Sequence, residues 1–78
     1  MSEEKKAAGM VKAYYRSVLR NVSDFREYIL IADSAIRRIG DKHWGIAILK
    51  RALNLANSQD ECGEVFELIG SLEIYGRI

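Results

Sequence analysis

Apolar residues recur three and four positions apart along almost the whole chain, and no proline interrupts them. That spacing is the period of an α-helix with one buried side; a strand would need sustained alternation, which is absent. The expected class is all-α, with four helices. The first, over about 3–22, places Ala7, Val11, Tyr14, Tyr15, Val18 and Val22 on one side, with Met10 and Leu19 at its edges. Ser23 and Asp24 then offer oxygens to cap a second helix, and Glu27 follows Asp24 at capping-box distance.

The second helix, over 25–39, carries the most regular stripe: Phe25, Tyr28, Ile29, Ala32, Ala35, Ile36 and Ile39, with Leu30 well off it. Gly40 suits the left-handed residue that ends a helix, and Asp41 caps the next one at once, so the two should form an antiparallel hairpin. A third helix over 42–56 is apolar around more than half its circumference, from Trp44 and Gly45 through Ile48, Leu49 and Ala52 to Ala56. So broad an arc needs more than one neighbour, which makes this helix the expected centre of the fold. A polar linker, Asn57 to Asp60, leads to a fourth helix over 60–75 with Cys62, Val65, Phe66, Leu68, Ile69 and Leu72 facing inward. Gly63 and Gly70 weaken that helix by about 1 kcal/mol each relative to alanine.

At 78 residues the chain has room for one domain, 1–78, with a modest core. A single cysteine excludes an intramolecular disulfide framework, which fits a cytoplasmic location. The longest uninterrupted apolar run, Tyr28 to Ala32, is far too short to span a bilayer, and the first residues lead into no signal-like apolar segment, so no membrane association is expected. Net charge is only +1, yet it divides unevenly: residues 1–51 carry +5 and residues 52–78 carry −4. A molecule with a basic front and an acidic back can steer acidic partners, or align copies of itself.

Two internal echoes stand out. Glu27–Ser34 and Glu64–Ser71 share their ends and their apolar rhythm, and each is followed by a terminating glycine, Gly40 and Gly76, 36 residues apart. Val11, Tyr14, Tyr15, Val18 and Val22 map onto Gly45, Ile48, Leu49, Ala52 and Ala56 at an offset of 34. With those residues in place, the segment from Gly40 to Ala56 resembles the second helix of a tetratricopeptide-type helical repeat. Gly45 and Ala52 stand at that family's small positions and Leu49 at its aromatic one. Ile29, Ala32, Asp33 and Ile36 stand where the family's first helix has its Trp, Leu, Gly and Tyr, as do Val65, Leu68, Ile69 and Leu72 in the last helix. Asp33 departs from a small residue, and Asn57 takes the place of the terminating proline. The resemblance implies about two helical hairpins and a protein-binding scaffold without chemistry of its own. A compact four-helix bundle is the alternative, and the two differ in whether the first and fourth helices meet.

No phosphate loop, nucleophile elbow or paired-histidine motif occurs, so the expectation is a non-enzyme without cofactor or metal. His43, the only histidine, lies in a first helical turn and reads as a surface residue; Cys62 reads as an inert thiol on an apolar side. Asp60, Glu61 and Glu64 lack the spacing of a calcium loop. The more informative feature is a basic side on the first helix, Lys5, Lys12, Arg16 and Arg20, continued by Arg37 and Arg38 on the second and by Lys50 and Arg51 on the third. The expected partner-binding residues are Lys12, Arg16, Arg20, Tyr15, Leu30, Arg37 and Arg38, engaging a protein. The alternative is a helix-turn-helix that reads nucleic acid through Lys42, His43 and Ala47. Because two repeats rarely bury enough surface alone, and the first helix is apolar over a wide arc, a two-fold homodimer is also expected.

Overall fold

The structure is a computed structural model and describes residues 3–78, with side chains from Lys6 onward. Four helices follow in order: α1 (Glu3–Arg20), α2 (Phe25–Ile39), α3 (Lys42–Ala52) and α4 (Gln59–Tyr75), with no strand among the described residues. The stop and start signals act as the sequence implies. The Asp24 carboxylate accepts from the Glu27 amide at 2.9 Å, and the Asp41 carboxylate accepts from the Trp44 amide at 3.0 Å. Gly40 and Gly76 end their helices at φ 71° and 70°, a left-handed backbone that costs glycine nothing and strains a residue with Cβ.

Two helices end earlier than their apolar patterns suggest. After Arg20, Asn21 and Val22 donate to carbonyls three residues back, Val18 and Leu19. After Ala52 the same tightening occurs, with Leu53, Asn54 and Leu55 donating to Lys50, Arg51 and Ala52. Three-residue bonds wind the chain more tightly than an α-helix and rarely continue, so Leu55 and Ala56 pack from a turn and not from a fourth helical loop of α3. Ser58 then caps α4, its hydroxyl accepting from the Glu61 amide at 3.2 Å while the Glu61 carboxylate reaches back to the Asn57 amide at 2.7 Å.

The helices pack in sequence: α1 on α2, α2 on α3, α3 on α4, and α1 does not meet α4. Near the Gly40 turn, Gly45 lies against Ile36, while further along Tyr28 donates its hydroxyl to the Ile48 carbonyl at 2.8 Å, so α2 and α3 run antiparallel. The Cα trace measures 43 × 29 × 14 Å, with a radius of gyration of 12.6 Å. A chain of this length averages about 11.5 Å, and the excess fits a slab one helix row wide.

α3 is the middle of that slab. It buries Trp44, Gly45, Ile48, Leu49 and Ala52, and both Leu49 and Ala52 are 0% exposed. At Gly45 a Cβ would lie 3.1 Å from Leu72 and 3.2 Å from Ile36, so glycine here lets α3 press between α2 and α4. The terminal helices are covered less than their patterns suggest. Among the described side chains of α1 only Leu19 is buried, with Tyr15 and Val18 half-buried, as is Val22 just past its end, while Ala7, Met10, Val11 and Tyr14 are exposed. In α4 the buried residues are Val65, Ile69 and Leu72, and Phe66, expected inside, is 59% exposed. The cause is common to both: a helix with one neighbour can bury only a narrow strip.

Candidate interaction surface

The partly covered side of α1 opens onto a groove. Because α1 packs on α2 alone, with Leu19 buried and Tyr15 packed against the core, the rest of its apolar arc runs past the contact, and Leu30 is exposed in the same way on α2. Tyr14, Tyr15 and Val18 of α1 face Leu30, Ile31 and Ser34 of α2 across an open groove of about 340 Å³. The Tyr14 and Tyr15 rings meet edge to face, 5.5 Å between centroids and 71° between planes, which holds Tyr14 upright beside the groove. Tyr14 and Leu30 are each about two thirds exposed. No carboxylate lines the groove, and Arg38, four residues beyond Ser34 on α2, is exposed.

The basic side chains do not form one continuous stripe. Lys12 turns inward and its ammonium sits 2.6 Å from the Asp41 carboxylate, tying α1 to the start of α3. Accepting from Lys12 and from the Trp44 amide holds the Asp41 carboxyl below its ordinary 3.8. Arg16 and Arg20 are exposed and have no carboxylate partner among the described residues. Arg20 lies at the rim of a second opening of about 300 Å³, beside Arg51 and Asn54 over a floor of Leu19, Val22, Tyr28 and Leu55. Burial raises the Tyr28 phenol, and the charge of Arg51 partly offsets that rise. Arg37 donates to Asp33 one turn back at 3.2 Å. The side chain of Lys5 lies outside the described residues.

So the expected binding residues divide into groups. Tyr15 and Leu30 come together in the groove; Arg16 and Arg20 occupy the other flank of α1; Lys12 and Arg37 are held in ion pairs; Arg38 stands exposed on α2. The sequence reading left out Tyr14, Val18 and Ile31, having placed the first two in the core. The four-residue spacing of Tyr14 and Val18 is visible in the sequence, but the number of neighbours that α1 has is not. Elsewhere, His43, Lys42 and Ala47 are exposed on α3, and Cys62 is a half-buried free thiol. No three His, Cys, Asp or Glu side chains gather as a metal site among the described residues, and no described helix is long and apolar enough to cross a membrane. No known protein family, curated protein or solved structure matches the chain.

Proposed function

We propose that this chain is a protein-interaction module of tetratricopeptide-like type, without catalytic activity, that docks an acidic amphipathic segment of a protein partner in the groove between α1 and α2. One observation carries the reading: an apolar groove long enough for several side chains lies open between two helices, with Tyr14 and Leu30 exposed at its edges. A soluble domain rarely leaves contiguous apolar surface uncovered without a use for it. The acidic character follows from the helices that build the groove. α1 has five basic residues against two acids, both acids in its first two positions, and α2 adds three basic residues against two acids. Arg16, Arg20 and Arg38 would then steer an acidic partner toward the groove, while Tyr14, Tyr15 and Leu30 hold it.

The repeat-like reading is supported by sequential packing, by the absence of an α1–α4 contact, and by the two small positions of α3. Gly45 lies against Leu72 and Ile36 with little room for a Cβ, and Ala52 is fully buried, which is what small residues serve in stacked helical hairpins.

The test is a titration of amide chemical shifts with two synthetic helical peptides that share one apolar spacing, one flanked by glutamates and one by lysines. The glutamate peptide should perturb Tyr14, Tyr15, Leu30 and Ile31, and Leu30→Asp should weaken it by roughly tenfold or more, the scale of a lost apolar anchor. Equal response to both peptides, or shifts confined to other surfaces, would overturn the reading. A gel shift with mixed nucleic acid that fades steeply with salt and maps to Lys42 and His43 would transfer the function to nucleic-acid binding.

A further inference from the structure

The row of helices ends in two uncovered edges that are opposite in charge and alike in shape. α1 packs only on α2 and α4 only on α3, so each presents a full-length outer strip. On α1 that strip is Met10, Ala13, Tyr14 and Ser17, all exposed and spaced by three and four. On α4 it is Gly63, Phe66, Gly70 and Ile74, in the same spacing, with Phe66 59% and Ile74 75% exposed. The helices match in length, at 18 and 17 residues. Lys6, Arg16 and Arg20 flank the first strip, and Asp60, Glu67 and Glu73 flank the second; all six are exposed, and none has an ion-pair partner among the described residues. α4 carries five acids and no base.

From these observations we infer that the outer edge of α1 takes the outer edge of α4 from a second copy of this chain, so that copies add head to tail and continue the helix row. The inference goes beyond the groove between α1 and α2: of the residues that line the groove, only Tyr14 also belongs to the outer strip. Charge selects this arrangement over a two-fold dimer. Pairing α1 with α1 would bring basic side chains together, and pairing α4 with α4 would bring acids together, whereas α1 on α4 opposes unlike charges. Phe66 and Ile74 supply the projecting apolar side chains, and Ala13 and Ser17 leave the shallow places opposite them. A contact between two different patches does not close on itself after one addition, so assembly should grow with concentration.

The experiment uses the full chain and two variants at exposed positions, Tyr14→Glu on the α1 edge and Ile74→Lys on the α4 edge, with circular dichroism melts to establish that both fold; Met10→Glu and Phe66→Lys serve if either does not. By light scattering the parent should pass beyond dimer mass as concentration rises. The midpoint should move to higher concentration by about tenfold when salt cuts the Debye length from about 14 to about 4 Å. Each variant alone should stay monomeric. Their equimolar mixture should form a dimer and stop there, because one variant keeps a sound α4 edge and the other a sound α1 edge. A parent that stays monomeric, a parent mass that stops at two copies, loss of assembly in only one variant, or a mixture that stays monomeric would each overturn the inference.

Discussion

Asp41 is asked to do two things at once. Its carboxylate caps α3 by accepting from the Trp44 amide, and it also receives the Lys12 ammonium of α1. The two roles can be separated. Asp41→Ala removes the cap and should cost about 1 kcal/mol, hence roughly 4–8 °C in Tm for a domain this size. Asp41→Asn keeps a capping oxygen and loses only the charge, so at neutral pH it should cost less than about 1 kcal/mol, the range of an exposed ion pair. The pH dependence follows from a carboxyl held below 3.8 in the folded state. Stability from the charged form is fully present above the unfolded value and is lost as pH falls through the folded one, so parent and Asp41→Asn should converge in acid, once pH lies below both. Urea melts at neutral and at acid pH decide it; a gap that persists in acid would mean the charge is not its source. Lys12 therefore belongs with the packing of the hairpins, and among the described side chains of the stripe on α1, Arg16 and Arg20 are the ones free to meet a partner.

At the scale of single helices, three of the four glycines inside helices, Gly45, Gly63 and Gly70, have opposite meanings. A Cβ at Gly63 or Gly70 would meet nothing within 4 Å, whereas one at Gly45 would press on Leu72 and on both γ carbons of Ile36. Gly63→Ala and Gly70→Ala should each stabilise α4 by about 0.5–1 kcal/mol, since alanine restricts the unfolded chain and favours helix. Gly45→Val should destabilise by about 1–3 kcal/mol, because the stiff branched side chain of Ile36 cannot turn aside. Thermal melts showing the same sign at all three positions would refute the assignment of Gly45 as the close-approach site. The sequence distinguished these glycines only in part: the repeat spacing marked Gly45 as a small position, and nothing marked how open the others are. Helix ends were legible wherever a side chain makes the stop or start, at Asp24, Gly40, Asp41 and Gly76. They were not legible after Arg20 and Ala52, where the apolar rhythm continues through a tightened turn that buries the same residues without being α-helix.

Across the whole molecule, what a sequence pattern leaves open is the number of neighbours each helix has. α2 and α3 lie between others, and their expected stripes are buried at Phe25, Tyr28, Ile29, Ala32, Ala35 and Ile36 and at Trp44, Gly45, Ile48, Leu49 and Ala52, although α3 stops four residues early; α1 and α4 lie at the ends, and Tyr14, Val11 and Phe66 are on the surface. The groove is legible only in part for the same reason: Tyr15 and Leu30 are expected to meet a partner, while Tyr14 and Val18 look like core until α1 is seen to touch α2 alone. An unequal distribution of stability follows. Among its described side chains α1 buries only Leu19, with Tyr15 and, just past its end, Val22 packed partly against the core, and its link to α3 is the half-buried Lys12–Asp41 pair. α3 contributes five buried residues and touches two helices. A helix held along one narrow strip can detach while the rest stays folded, so its amides should exchange through an opening cheaper than global unfolding. Native-state hydrogen exchange at low denaturant should show α1 amides opening with a small denaturant slope, and α3 amides, around Leu49, following the global transition. The Gly63 and Gly70 positions make α4 a competitor for the weakest helix by propensity, but its three buried residues against the one of α1 place it second. Were α1 and α3 amides to fall on one common isotherm with the full slope, the four helices would form a single cooperative unit, and the narrow strip between α1 and α2 would be worth far more than its buried surface indicates.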